Sequence, residues 1–173
     1  HSTLTNLLRW SLSQFQGIKA VPEKIALDEV IEKNAILFKQ PLERKHIRFV
    51  YQPTGLFVMA DPDHLMLVLR NLVSNAIKYS YPDSFITINC CEKGGRIIIE
   101  VADTGVGMND EIKKSIFSSS PNMVSSTGTS NEKGTGLGLK LCKEFIEKNN
   151  GQIWLDSIEQ KGSRFYISLP VST

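Results

Sequence analysis

Three short stretches hold residue types whose spacing could do chemistry. The first is Asn71-Leu72-Val73-Ser74-Asn75-Ala76-Ile77-Lys78-Tyr79-Ser80. At about 100° per helical residue, Asn71, Asn75 and Lys78 fall within about 60° of one another. Leu65, Leu69, Leu72 and Ala76 fall on a separate apolar stripe. Asparagine is a poor helix former, so two of them one turn apart suggest a use beyond solvation. An amide oxygen suits Mg²⁺, which takes few protein ligands and completes its shell with water and phosphate oxygens. A lysine suits phosphate as a point charge. A plain solvated helix face is the competing reading. The second stretch, Asp103-Thr104-Gly105-Val106-Gly107-Met108, ends a hydrophobic run. A carboxylate there could accept a hydrogen bond from a purine amine, with Gly105 and Gly107 admitting the backbone close to the ring. An ordinary Asp-Gly turn after a strand is the alternative.

The third stretch, Glu132-Lys133-Gly134-Thr135-Gly136-Leu137-Gly138-Leu139-Lys140-Leu141-Cys142, runs three glycines into the start of a helix. Each helical glycine costs about 1 kcal/mol relative to alanine. Either the backbone must approach a phosphate at the positive helix N-terminus, or the glycines allow a turn and close packing. No Gly-x-x-x-x-Gly-Lys-Ser/Thr pattern is present, and the Gly134-x-Gly136-x-Gly138 spacing fails the dinucleotide fingerprint.

These stretches need a scaffold. The spacing predicts a long helix from about Pro62 to Tyr79, with Pro62 suited to the first turn. Strands are expected at Phe85–Cys91 and Arg96–Ala102, joined at Gly94-Gly95, as the two central strands; Ile97-Ile98-Ile99 suggests burial on both faces. Upstream, residues 23–27 read as a short strand. Asp28 is expected to cap a helix whose apolar face holds Val30, Ile31, Ala35, Leu37 and Phe38, with Pro41 limiting it. Ile47–Tyr51 and Leu56–Ala60 read as a hairpin around Pro53-Thr54-Gly55. Downstream of the glycine segment, a helix to about Asn149 and strands at Gln152–Ser157 and Ser163–Leu169 are expected. Ser and Thr fill nine of the seventeen positions 115–131. So long a connection is usually functional or disordered. Leu4, Leu7, Leu8, Leu12 and Phe15 form a leading amphipathic stripe. The fold class is α/β, an α+β two-layer sandwich: a mixed sheet of about five strands on three helices, with a long lid.

Composition narrows the options. With 41% hydrophobic residues the chain can build a core, and a net charge of +2 does not argue for nucleic acid. No basic stripe with interleaved aromatics is present. Cys90, Cys91 and Cys142 are odd in number and lack metal spacing, which favours a reducing compartment. His1, His46 and His64 are scattered; the last two fit surface or packing roles. No apolar run reaches the roughly 18 residues of a membrane span. The abrupt start reads as part of a longer chain.

In this order, the three stretches resemble the N, G1 and G2 boxes of the catalytic ATP-binding domain of sensor histidine kinases, in the superfamily shared with gyrase, Hsp90 and MutL. The resemblance covers about residues 22–170. It implies ATP and Mg²⁺ as cofactors, with Asn75 as metal ligand and Asn71 beside it. Lys78 and Tyr79 match phosphate and ribose contacts, and Asp103 the adenine-binding aspartate. Gly105 and Gly107 match G1. Gly134, Thr135, Gly136, Leu137, Gly138 and Leu139 match G2. Gly162 and Phe165 lie in a segment resembling the closing strand. Hydrolytic relatives place a glutamate base where Asn71 stands; an amide cannot take that proton, so phosphoryl transfer is implied, with Asn71 and Lys78 as the catalytic pair. The usual phenylalanine box is reduced to Ile116-Phe117.

Residues 1–21 resemble the end of a dimerisation and phosphoacceptor helix with its linker, leaving 22–173 as the catalytic domain and the acceptor histidine upstream. Implied partners are the chain's own dimerisation domain, in a homodimer, and a response-regulator receiver domain. No nucleic acid and no direct membrane contact are implied, and the location is cytoplasmic in a membrane-anchored sensor. A serine or threonine kinase of the anti-sigma type and a non-catalytic nucleotide-binding module remain as alternatives.

Overall fold

The structure is a computed structural model, and it describes residues 19–117, 129 and 138–172. The leading leucine stripe and Gly134, Thr135, Gly136 and Leu137 lie outside the described residues.

Strand β1 (Glu23–Ala26) leads directly into helix α1 (Leu27–Leu37) and the short helix α2 (Lys39–Arg44). Strands β2 (Arg48–Tyr51) and β3 (Phe57–Ala60) precede helix α3 (Pro62–Tyr79). Hairpin β4 (Phe85–Lys93) and β5 (Arg96–Asp103) follows, then the short helix α4 (Asp110–Ser115). Helix α5 (Gly138–Lys148) and strands β6 (Gln152–Ile158) and β7 (Gly162–Pro170) complete the chain. The main sheet runs β2-β4-β5-β7-β6, and β1 and β3 form a separate antiparallel ribbon. Helices α3 and α5 lie together against one face of the main sheet, giving a two-layer α/β sandwich.

The expected hairpin of β2 and β3 does not form. β2 pairs in parallel with β4, and β3 pairs with β1. The reason lies at Asp28, whose carboxylate accepts hydrogen bonds from the backbone N–H groups of Thr54 (3.0 Å) and Gly55 (2.9 Å) and from the Tyr51 hydroxyl. Those bonds hold the 53–55 turn against the start of α1 and send the two strands to different sheets. Asp28 is therefore not the cap. The cap position is Ala26, two residues earlier, with no side-chain cap, and Asp28 sits in the first turn of α1, where a negative charge is favourable.

Two burial expectations also change. Ile97 and Ile99 are fully buried, but Ile98 is only half-buried, so β5 shows one core face. It alone is the central strand. Leu37 is 55% exposed, because α1 ends there and the chain turns into α2. Pro41 occupies the third position of α2, where no intrahelical N–H is needed.

Helix α3 organises the core. Leu65, Val68, Leu69, Leu72, Val73 and Ala76 are buried against Ile86, Ile99, Val101 and Ile167 of the cluster. Each large aliphatic side chain so buried contributes about 1.5–3 kcal/mol. The N-cap is Asp61, whose Oδ1 accepts from the N–H groups of Asp63 (3.0 Å) and His64 (3.1 Å), and whose Oδ2 accepts from Val21 N–H (2.9 Å). These bonds hold the Asp61 carboxyl below its ordinary range despite partial burial, which acts the other way. His64 is buried, stacks on Phe145 at 4.2 Å, and its Nδ1 lies 3.1 Å from Asn149 Nδ2. That contact requires Nδ1 to accept, so His64 packs, as its position suggests. Asn149 also donates to Phe145 O (2.7 Å) and accepts from Asp61 N–H (2.6 Å), tying the end of α5 to the start of α3.

Candidate functional site

The polar edge of α3 survives folding as a connected row. Asn71, Asn75, Lys78 and Tyr79 are all half-buried, while the stripe behind them is buried. Asn75 Nδ2 donates to Asn71 Oδ1 at 3.0 Å. Among the described residues, Asn75 Oδ1 takes no hydrogen bond, so one hard oxygen of the pair is left for another ligand. Gly138, the first residue of α5, lies against Asn71: an added Cβ would overlap the Asn71 side chain. The third glycine of the G2 stretch is thus in contact with the first asparagine. Leu139 is half-buried and packs on the core. Lys78 Nζ lies 4.8 Å from the centroid of the Tyr79 ring, so the amine is drawn along the helix edge toward its end.

That end is closed by other segments. A helix leaves its last four carbonyls without intrahelical partners, and no left-handed glycine follows Tyr79 to cap them. Ser80 N–H still bonds Ala76 O (3.0 Å), and Val106 N–H bonds Tyr79 O (3.0 Å). The Lys45 ammonium donates to Ile77 O (2.9 Å) and Lys78 O (3.2 Å). Thr129 N–H also donates to Lys78 O (3.1 Å). Ser80 Oγ is buried at this junction and has no hydrogen-bond partner among the described residues.

Asp103, the last residue of β5, is 9% exposed. Its Oδ1 accepts from Gly105 N–H (2.9 Å) and Ser163 N–H (3.3 Å). Its Oδ2 accepts no hydrogen bond from any described residue. Burial pushes this carboxyl up to about 6, against the lowering effect of the two N–H bonds. At neutral pH it is a buried anion with one oxygen satisfied and the other open to a donor.

The glycines around Asp103 act first on backbone packing. An added Cβ at Gly105 would overlap the Tyr79 carbonyl oxygen and stand 2.9 Å from Ser80 Cα. Gly107 has φ +63°, and Gly162 has φ +106° with its missing Cβ against the Asp103 carbonyl. The close approach that sequence reasoning assigned to a ring is here between backbones. Gly105 brings the β5 exit onto the end of α3, which joins the asparagine edge to Asp103. Sequence reasoning missed Lys45, Thr129 and Ser163. Their contacts span 33, 51 and 60 residues, and no local pattern signals them.

Among the described residues, no cluster of three or more His, Cys, Asp or Glu could hold a metal, and no helix is long and apolar enough to cross a membrane. A metal in this site would need ligands from a bound phosphate. The single amide oxygen of Asn75 fits that case, since Mg²⁺ retains waters and phosphate oxygens in its shell.

Comparison with known proteins identifies the family and the fold of the domain. Residues 60–173 match the family described as histidine kinase-, DNA gyrase B- and HSP90-like ATPases. The adaptive-response sensory kinase SasA of Crocosphaera subtropica is 36% identical over 171 residues, 97% of this chain and 44% of the relative. The sensor protein kinase WalK of Staphylococcus saprophyticus is 34% identical over 141 residues, 79% of this chain and 23% of WalK. The chain spans less than half the length of these curated relatives. The catalytic domain of histidine kinase ThkA superposes with a TM-score of 0.73 at 29% identity, covering 87% of this chain and 96% of that one. The asparagine-edged helix, the buried Asp103 and the glycine contacts thus sit in a domain of known lineage, and the chain belongs to the histidine kinase-, DNA gyrase B- and HSP90-like ATPase family.

Proposed function

We propose that this chain is the ATP- and Mg²⁺-binding catalytic domain of a two-component sensor histidine kinase, passing the γ-phosphate of ATP to a histidine outside its residues. The observation that carries the reading is Asp103: a buried carboxylate with Oδ1 held by two backbone N–H groups and Oδ2 open. Such an oxygen accepts from the exocyclic amine of adenine and repels the carbonyl that guanine carries at that position. From Asp103 the nucleotide runs along α3, with its ribose near Tyr79 and its phosphates near Lys78 and Asn75.

Asn75 Oδ1 would hold Mg²⁺ together with phosphate oxygens, and the metal would neutralise phosphate charge. Gly134, Gly136 and Gly138 would bring backbone N–H groups to the phosphates, as the start of α5 does for anions in general. Asn71 cannot act as a base toward water; its amide is occupied in orienting Asn75. That favours transfer over hydrolysis, since phosphoryl transfer depends mainly on positioning and charge neutralisation.

The described histidines are poor nucleophiles for the transfer. His64 is buried with Nδ1 engaged, and the Nδ1 of exposed His46 faces Asp83 at 3.5 Å. We assign the acceptor to a dimerisation domain of the longer protein, as the resemblance to sensor histidine kinases implies. A response-regulator receiver domain would take the phosphate onward; a ThkA structure at 24% identity shares this fold and is of that kinase with response regulator TrrA. Free Cys90, Cys91 and Cys142 support a reducing, cytoplasmic setting for the domain, within a membrane-anchored sensor.

The test is competition between nucleotides. With magnesium present, ATP should displace a bound fluorescent ATP analogue at least about tenfold more effectively than GTP. Equal displacement by GTP would remove Asp103 from the base-reading role.

A further inference from the structure

The end of α3 carries a second device. Lys45 lies just past α2 and is anchored through its own backbone: its N–H bonds Pro41 O (3.3 Å), and its carbonyl accepts from Asp83 N–H (3.0 Å). From that fixed base the side chain reaches Ile77 O, Lys78 O and Thr129 Oγ1 at 2.9, 3.2 and 2.9 Å. Among the described residues the ammonium donates to three acceptors, and a cation at a helix C-terminus is electrostatically favoured. Thr129 is gripped in turn. Its N–H donates to Lys78 O (3.1 Å), and its hydroxyl lies 3.1 Å from Lys78 O and 2.8 Å from Ser80 O.

Thr129 comes five residues before Gly134 in the chain. The other end of that glycine stretch, Gly138, is seated on Asn71. Both flanks of residues 130–137 are therefore attached to the same helix, at points seven residues apart, or about 10 Å along its axis. Asn75 lies between those two points, and Lys78 is itself the second of them.

We propose that Lys45 and Thr129 form a positioning clasp for the nucleotide site, fixing the entry of the glycine stretch on the end of α3 as Asn71 fixes its exit. The clasp rests on the nucleotide reading above. It acts through the glycine stretch and touches no reacting atom, so its effect falls on the phosphates and not on the base. Freeing one flank restores conformational freedom that phosphate binding must then remove.

The test uses Lys45→Met, which keeps the stem and loses the charge, and Thr129→Val, which keeps the shape and loses the hydroxyl. Calorimetric titration with MgATP should show about tenfold weaker binding for each variant, the scale of one lost charge-assisted hydrogen bond. The double variant should be no weaker than either alone, because both break one clasp. Thr129→Ser should bind as the wild type does, and adenosine should bind all variants alike. Without nucleotide, the Thr129 amide should exchange faster in Lys45→Met. MgATP affinity unchanged in both single variants overturns the clasp, as does an adenosine affinity that falls in parallel with that for MgATP. A wild-type chain that binds no ATP overturns the nucleotide reading and the clasp's positioning role together; ATP binding by the wild type with undiminished affinity in both variants overturns the clasp alone.

Discussion

Removing the charge at Asp103 should strengthen the empty fold while it weakens the site. The carboxyl is pushed up to about 6 from an ordinary 3.8. Holding it ionised at pH 7.5 therefore costs about 3 kcal/mol relative to the unfolded chain, at about 1.4 kcal/mol per unit. The sign follows from proton binding. Between about pH 4 and pH 6 the folded chain binds this proton more tightly than the unfolded chain, so the contribution of Asp103 to stability falls as pH rises through that window. Below it the penalty is absent; above it the penalty is complete. Asp103→Asn keeps an Oδ1 for the Gly105 and Ser163 N–H groups but carries no charge. Those bonds weaken with a neutral acceptor, which reduces the net gain to about 1–2 kcal/mol. Urea unfolding followed by circular dichroism should show the nucleotide-free Asp103→Asn chain to be the more stable at pH 7.5, with the difference shrinking at pH 4.5. A variant less stable than wild type at pH 7.5, or a pH-independent difference, would refute the burial argument.

Three other substitutions probe the surroundings. Gly105→Ala drives a Cβ into the Tyr79 carbonyl, and backbone on both sides leaves no flexible neighbour to yield; a loss of about 3 kcal/mol or more is expected in thermal unfolding, on the scale of severe overpacking. Gly138→Ala pushes the Asn71 amide off Asn75. It should cost little stability, within about 1 kcal/mol because the position is the first of its helix, yet reduce the magnesium dependence of nucleotide affinity in a titration. Asn149→Ala strands His64 Nδ1 and Asp61 N–H; urea unfolding should register about 2–4 kcal/mol, the cost of leaving two buried groups unsatisfied.

What could be read from sequence divides by distance along the chain. Helix α3 was legible because its signals are local: a proline at its first turn, an apolar stripe of period 3.6 and a polar edge within one turn. The β4–β5 hairpin was equally local, with Gly94-Gly95 both at positive φ. The separation of β2 from β3 was not legible, because it depends on Asp28 meeting a turn 26 residues away. At Gly105 the residue type was informative and its immediate reason was not: glycine marks a close approach without naming what approaches. Leu37 fits an apolar face by period, but a helix end decides its exposure. Lys45 and Thr129, 84 residues apart, look like ordinary surface residues until the end of α3 places their acceptors.

The central claim is that adenine nucleotide is held between Asp103 and the asparagine edge of α3. Calorimetric titration of wild type and Asp103→Asn with MgATP at pH 7.5 tests it most directly. One nucleotide should bind per wild-type chain, with affinity at least about tenfold lower in the variant, even though the variant fold is the more stable. Equal affinity in the two chains would contradict it.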